Sequence, residues 1–174
     1  MNIKDQIILV TGANGGIGKA LVTAFLAAGA ARVYACARDI TSLDALPAND
    51  RISKLKLDIC NTANIEQAAM VARDVTLLVN NAGTGGCGLL GSQQNARREM
   101  EVNYFGTHAM CTTFAPILGI NGGGCIVNII SVIGLVNMPS IGTYCASKAA
   151  LHSLTQGIRA ALSDQKTAVV GVYP

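Results

Sequence analysis

This chain has no tryptophan, only 4% aromatic residues, 13% charged residues and two histidines. Each shortage removes a class of function. Its 13 basic residues against 10 acids leave a net charge of +3, and Lys4, Arg32, Arg97, Arg98 and Lys166 are scattered along the chain. No basic stripe with interleaved aromatics forms, which argues against a nucleic-acid partner. His108 and His152 stand alone, so a metal site has no ligand cluster to start from. Six cysteines (Cys36, Cys60, Cys87, Cys111, Cys125, Cys145) include no Cys-x-x-Cys pair. That spacing disfavours a disulfide framework or a zinc site and fits a reducing, cytoplasmic setting, with the thiols acting as small hydrophobes. No apolar run reaches the roughly 18 residues of a membrane span. Five residues precede the first expected strand and no cleavage pattern follows it, so neither a membrane anchor nor a secretory signal is expected. Repeats, low-complexity tracts and a second domain are also missing, so residues 1–174 read as one domain long enough to bury a core.

What the chain does contain is aliphatic: 51% of it is apolar, with a mean hydropathy of +0.41. Parallel strands covered on both faces produce such continuous apolar runs. The first, residues 6–10, leads directly into Thr11-Gly12-Ala13-Asn14-Gly15-Gly16-Ile17-Gly18, and an amphipathic helix over 19–28 follows, closed by Gly29. In a strand–loop–helix context, glycines let the backbone approach a pyrophosphate and the helix start supplies N–H donors. A merely structural turn is the alternative. Residues 31–37 form the second expected strand, ending at Arg38 and Asp39. A dinucleotide site meets the adenosine ribose about twenty residues beyond its glycine loop. Arg38 there suits a 2′-phosphate in bidentate fashion, unless it pairs with Asp39 in an exposed loop.

Further along, 41–49 reads as a loop or short irregular helix, 52–57 as a strand ending at Asp58-Ile59, and 65–72 as a short helix. Residues 75–79 make a fourth strand, followed by Asn80-Asn81-Ala82-Gly83 and a glycine-rich passage over 84–91. A long helix is expected over 97–118, with Pro116 at its last turn. The strands over 125–130 and 168–172 complete an alternation that predicts an α/β fold with a doubly wound parallel sheet.

The stretch from Ser131 to Lys148 carries the chemistry. Ser131 follows the apolar run 125–130, at the end of a strand where open α/β sheets bind ligands. Pro139 and Gly142 interrupt regular structure, and a helix then begins near Tyr144, with apolar positions at Ala150, Leu151, Leu154, Ile158 and Leu162. Tyr144 and Lys148, four apart, share a face of that helix. A phenol, an ammonium and a hydroxyl at one strand end make a proton-transfer site. Taken singly, the same residues read as a helix tyrosine, a solvated lysine and a strand-end serine.

Four motifs together resemble the short-chain dehydrogenase/reductase family, in its compact single-domain branch. Residues 11–18 are similar to its T-G-x-x-x-G-I-G loop, and Asn80-Asn81-Ala82-Gly83 to its N-N-A-G strand end. Asn103 in Val102-Asn103-Tyr104-Phe105-Gly106 matches its mid-helix asparagine, and Ser131 with Tyr144-x-x-x-Lys148 matches its serine and Y-x-x-x-K. The resemblance covers essentially the whole chain. It implies an oxidoreductase that moves a hydride between NADP(H), with NAD(H) the less favoured cofactor, and a small-molecule carbonyl or alcohol.

By the same resemblance, Tyr144 is the general acid/base and Lys148 lowers its pKa and holds the nicotinamide ribose. Ser131 orients the substrate oxygen, and Asn103 seats a relay water. The implied cofactor site comprises Gly12, Asn14, Gly15, Gly16, Ile17, Gly18, Arg38, Asp58, Ile59, Asn81, Ala82 and Gly83, with Tyr144 and Lys148. Two departures stand out. Some NADP-specific members carry a basic residue where this chain has Gly15, so Arg38 alone supports NADP. The sequence also stops at Pro174, so the chain is expected to lack the family's C-terminal substrate elements and its seventh strand, leaving an unpaired edge and an uncovered sheet face. The full-length parent is expected to be a homo-oligomer. A catalytically silent nucleotide-binding sensor or interaction protein is the alternative from another class. A sugar-nucleotide epimerase of the extended branch fits the Asn80–Gly83 motif and the short chain less well.

Overall fold

Short β-branched and aliphatic runs, each stopped by glycine, asparagine or a polar loop, become the six strands of one sheet. A computed structural model describes residues 2–86 and 88–174; Met1 and Cys87 lie outside the described residues. The strands are β1 (Ile7–Thr11), β2 (Arg32–Ala37), β3 (Ile52–Lys56), β4 (Leu77–Asn80), β5 (Gly124–Ile129) and β6 (Thr167–Val172). They lie in the order β3-β2-β1-β4-β5-β6 and every pairing is parallel. The order reverses between β1 and β4, which opens a crevice at their C-terminal ends. The expected doubly wound parallel sheet of Rossmann type is the architecture observed.

Helices α1 (Gly16–Ala27), α2 (Thr62–Val71), α3 (Gln93–Met100), α4 (Thr107–Ile120) and α5 (Gly142–Ala161) connect the strands. Alternate strand residues face opposite layers. Ile8, Val10, Val33 and Val79 pack with Val22 and Leu26 of α1. Leu9, Leu78 and Ile126 pack on the other side with Ile65 of α2 and Met110, Phe114 and Leu118 of α4. Each such fully buried aliphatic or phenyl group contributes roughly 1.5–3 kcal/mol. The α1 layer thins toward the far end of the sheet: Val170 and Val172 of the edge strand β6 remain 43% and 39% exposed.

Several boundaries differ from expectation for physical reasons. α1 starts at Gly16 rather than residue 19, because the last glycines of the loop already form its first turn. It ends as expected: Gly29 sits at φ +84°, and the Ala30 N–H closes back onto the Phe25 carbonyl. The helix expected over 97–118 begins earlier, with the Ser92 hydroxyl accepting from the Gln94 N–H at 3.2 Å as N-cap. It runs on to Ile120, so Pro116 lies inside it. Its middle, Glu101–Gly106, is wound as a wider π-type turn that contains Asn103. Residues 40–45 settle as a 3-10 helix capped by Asp39. In α5 the expected stripe holds at Leu151, which is buried, and at Ile158 and Leu162, which pack half-buried against the core, but the fully buried row also takes in Cys145, Ser147, Lys148 and Thr155. Among the described residues, Cys36, Cys60, Cys111, Cys125 and Cys145 are free thiols. Among the described residues, no helix is long and apolar enough to cross a membrane.

Candidate functional site

The crevice between β1 and β4 is held together by Thr11, a residue the sequence reading passed over. Its hydroxyl accepts the N–H groups of Asn81 and Ala82, both at 3.0 Å, and so ties the glycine loop to the end of β4. The Asn81 side-chain amide returns the tie by donating to the carbonyls of Thr11 and Gly12 at 3.0 Å. Gly12 adopts φ +63°, and a Cβ there would stand 2.9 Å from the Ala82 Cα. A Cβ on Gly18 would overlap the Gly12 carbonyl, so both positions demand glycine. Gly15 and Gly16 face open space instead. With Asn14 and Ile17 they form an exposed cradle at the α1 N-terminus, into which backbone N–H groups point.

A cleft of about 760 Å³ runs from this cradle along the strand ends. Gly12, Asn14, Gly15, Gly16, Ile17, Arg38, Asp58, Ile59, Asn81, Ala82 and Gly83 all line it, whereas Gly18 is buried beneath the loop. Asp58 secures the far wall, its carboxylate accepting the Cys60 N–H at 3.0 Å. Ile59 packs where a Gly106 side chain would stand. Arg38 does not pair with Asp39. The Asp39 carboxylate instead accepts from the Thr41 N–H at 3.0 Å and the Thr41 hydroxyl at 2.8 Å, bonds that lower its pKa. Arg38 is left exposed on the cleft wall, without an ion pair among the described residues. Ser42, Cys60, Arg98 and Val102 also line the cleft and were not anticipated, and with them stands Thr84 from the glycine-rich passage after β4. Ser42, Cys60 and Arg98 belong to no short local motif; α3 carries Arg98 to the cleft, and the π-type turn Glu101–Gly106 carries Val102.

The residues expected to transfer a proton sit beyond the Gly83–Thr84 end of this cleft. Asn103 is fully buried; its amide donates to the Thr84 carbonyl at 2.7 Å and to the Ser147 hydroxyl at 2.8 Å, and its Oδ1 accepts the Thr84 N–H at 2.9 Å. Asn103 thereby clamps the chain after β4 to α5, one amide hydrogen bonding Thr84 and the other Ser147. Ser147, another residue not foreseen, passes the connection on by donating to the Tyr144 carbonyl at 2.7 Å. Lys148 is 3% exposed, donates to the Ile129 carbonyl at 2.8 Å, and places Nζ 5.6 Å from the centre of the Tyr144 ring. A Cβ on Gly83 would touch both the Asn103 Oδ1 and the Lys148 Nζ. Three of the four expected catalytic residues therefore converge on 83–85. Ser131 turns elsewhere, its hydroxyl donating to the Pro174 carbonyl at 3.0 Å.

The electrostatics correct one expectation. Burial pushes the Lys148 ammonium down to about 8. The Tyr144 phenol is held above its ordinary value, chiefly by burial and then by the charges of Cys145 and Glu99. The lowering expected from Lys148 is thus reversed, because desolvation weakens the ammonium and penalises the phenolate together.

Behind the site runs a buried polar chain. Asn80 donates to the Asn128 Oδ1 at 2.9 Å, Asn128 donates to the Thr155 hydroxyl at 2.9 Å, and Thr155 donates to the Leu151 carbonyl at 2.7 Å. It locks α5, and with it Tyr144 and Lys148, onto β4 and β5. The available signal was an asparagine interrupting each of two apolar strands. His152, expected to stand alone, meets the Tyr173 hydroxyl at 2.6 Å.

A parallel sheet with a glycine cradle at its switch point, and a tyrosine–lysine pair beside the next strand end, defines a doubly wound α/β domain of the dinucleotide-fold class. The chain belongs to the short-chain dehydrogenase family, whose sequence profile matches residues 6–174. It is 35% identical over 176 residues to the zebrafish (Danio rerio) dehydrogenase/reductase SDR family member 7B, covering 91% of this chain and 57% of that protein. The chain thus spans little more than half the length of that curated relative. Among solved structures, a short chain dehydrogenase from Burkholderia cenocepacia in complex with NADP superposes with a TM-score of 0.94 at 40% identity, over all of this chain and 73% of that one. The 3-ketoacyl-(acyl-carrier-protein) reductase from Brucella melitensis, complexed with NADH, gives 0.91 at 27% identity, over 99% of this chain and 76% of that one.

Proposed function

We propose that this chain carries the cofactor-binding and catalytic part of an NADP(H)-dependent oxidoreductase that interconverts a small-molecule carbonyl compound and its alcohol. The observation that carries the reading is the convergence of Asn103, Tyr144 and Lys148 on 83–85, at the end of the cleft that begins in the glycine cradle. The open Cβ positions of Gly15 and Gly16 leave room for a pyrophosphate against backbone N–H groups, so the residues present fit a dinucleotide. Gly12, Asn14, Gly15, Gly16, Ile17 and Gly18 would hold it, with Asp58 and Ile59 beside the adenine and Asn81, Ala82 and Gly83 along the cleft. Arg38 would meet a 2′-phosphate, and its freedom from Asp39 favours NADP(H) over NAD(H).

A bound nicotinamide supplies or accepts the hydride. The chain's own groups manage the proton. Tyr144 gives it to the carbonyl oxygen, and a phenol with a raised pKa stays protonated at neutral pH, as a donor must. Lys148, anchored by the Ile129 carbonyl, would hold the nicotinamide ribose, and Asn103 keeps the strand end in place. Ser131 would exchange the Pro174 carbonyl for the substrate oxygen. The cysteine pattern supports a cytoplasmic setting, and we take the full-length parent to be a homo-oligomer.

The bond from Ser131 to Pro174 favours a second reading, a nucleotide-binding sensor without chemistry. Titration with NADPH and NADH, followed by nicotinamide fluorescence and then a panel of carbonyl compounds, separates the two. NADPH is expected to bind tighter, and Arg38→Asp to reduce that preference about tenfold or more. Tyr144→Phe is expected to keep binding while turnover falls by about 10²–10⁴. Unchanged turnover in Tyr144→Phe sinks the general-acid assignment, and cofactor binding without turnover, even in a longer chain, favours the sensor.

A further inference from the structure

Helix α3 is built the wrong way round for a surface helix. Of its eight residues, Gln93 to Met100, the one that is buried is an acid, Glu99, at 3% exposure. A carboxylate carried inward is costly unless its oxygens find donors. One partner is a backbone group of the glycine-rich passage after β4: Glu99 Oε1 accepts the Gly86 N–H at 3.1 Å. The preceding residue, Gly85, lies flat against the Tyr144 ring, so closely that a Cβ there would overlap three ring atoms. Acid, turn and phenol therefore form one packed stack, contributed by α3, the segment after β4, and α5.

We propose that Glu99 is a positioning residue for Tyr144: its carboxylate pins the Gly85–Gly86 turn against the ring and sets a fixed negative charge beside the phenol. The titratable groups around that phenol are Glu99 from α3 and Cys145 and Lys148 from α5. Burial disfavours the phenolate most, and Cys145 and Glu99 disfavour it further, while Lys148, itself held down to about 8 by burial, does not offset them. Glu99 thus adds a charge to the burial that keeps the proton on Tyr144. In the direction of carbonyl reduction, this holds the donor loaded at neutral pH.

The consequence for turnover rests on Tyr144 being the proton donor, but the test does not. Phenolate absorbance of the purified chain is titrated against pH, and subtraction of Tyr144→Phe assigns the Tyr144 midpoint among the four tyrosines. Exchange of the Gly86 amide is followed in parallel. Glu99→Gln removes the charge and keeps an acceptor, so the Tyr144 midpoint is expected to fall while Gly86 stays protected. Glu99→Asp keeps the charge and withdraws it by one methylene, so the Gly86 amide is expected to exchange about tenfold faster. A midpoint unchanged in Glu99→Gln overturns the role of the charge. A Gly86 amide that exchanges at the rate of a free loop in the unmutated chain overturns the anchor, and needs no variant that must fold. If Tyr144→Phe keeps its turnover while Glu99→Gln lowers the midpoint, the general-acid reading fails and the present inference stands.

Discussion

The two ends of the cleft are built on different terms. The glycine-cradle end is made from one contiguous stretch, residues 11–18, and the strand end 81–83 beside it. It is held by the Thr11 hydroxyl and the Asn81 amide and by backbone approaches at Gly12 and Gly18 too close for any side chain. The proton-transfer end draws on α3, the π-type turn, the end of β5 and α5, and is held from behind by buried polar bonds. In front of it, Val132, Leu135, Val136 and Met138 stand 50–65% exposed. A cofactor cradle can be complete within a single β–loop–α unit because a phosphate needs little more than N–H groups and room. Proton transfer needs groups of different chemistry at one point, and no single element offers them.

The comparison is broken most severely at the cradle. Gly18→Ala forces a methyl into the Gly12 carbonyl, and we expect a loss of about 3 kcal/mol in chemical denaturation together with loss of nucleotide binding. Unimpaired stability would mean that the loop and β4 can separate at little cost, contrary to a cradle held by backbone contact. At the other end, Asn128→Ala removes the acceptor of the Asn80 amide and the donor to the Thr155 hydroxyl, and so breaks the chain between β4 and α5. We expect a cost of about 2 kcal/mol, with turnover falling more than NADPH affinity because α5 is released while the cradle is not. Equal losses in both would erase the distinction between the two ends.

A third test sharpens the comparison through pH. The folded chain holds Lys148 at about 8 against an ordinary 10.5, so between these values the unfolded state binds more protons than the folded one. Stability linked to Lys148 must therefore rise with pH across that window, by at most about 1.4 kcal/mol per pH unit. The buried thiols of Cys36 and Cys111 act in the opposite sense above pH 9, since burial raises their pKa. The difference between the unmutated chain and Lys148→Met isolates the lysine: the variant should lose the upward component. Identical slopes would show that Lys148 is not buried as a desolvated amine.

Local pattern revealed most of the architecture, because parallel strands buried on both faces are necessarily aliphatic runs punctuated by glycine and polar loops. It located the cradle for the same reason, and it put Tyr144 and Lys148 on one helix face by spacing alone. Where it misplaced an element, a competing term had intervened. The extent of α5's polar buried row, Ser147, Lys148 and Thr155, is invisible to a hydrophobic period because hydrogen bonds rather than burial of apolar area hold it.

What the sequence determined by itself is the kind of fold, the glycine cradle and the residues proposed to move a proton. Each depends on the chemistry of a residue and its near neighbours along the chain. Tertiary structure alone decided that Thr11 fastens two strand ends, that Arg38 is free while Asp39 caps a turn, that Asn103 is a clamp, and that Glu99 faces inward beneath Tyr144. These are matters of which atoms meet across gaps of many residues, and of how much water the meeting excludes. Desolvation is a property of the packed interior, so the protonation of Tyr144 and Lys148 was set only when the elements closed around them.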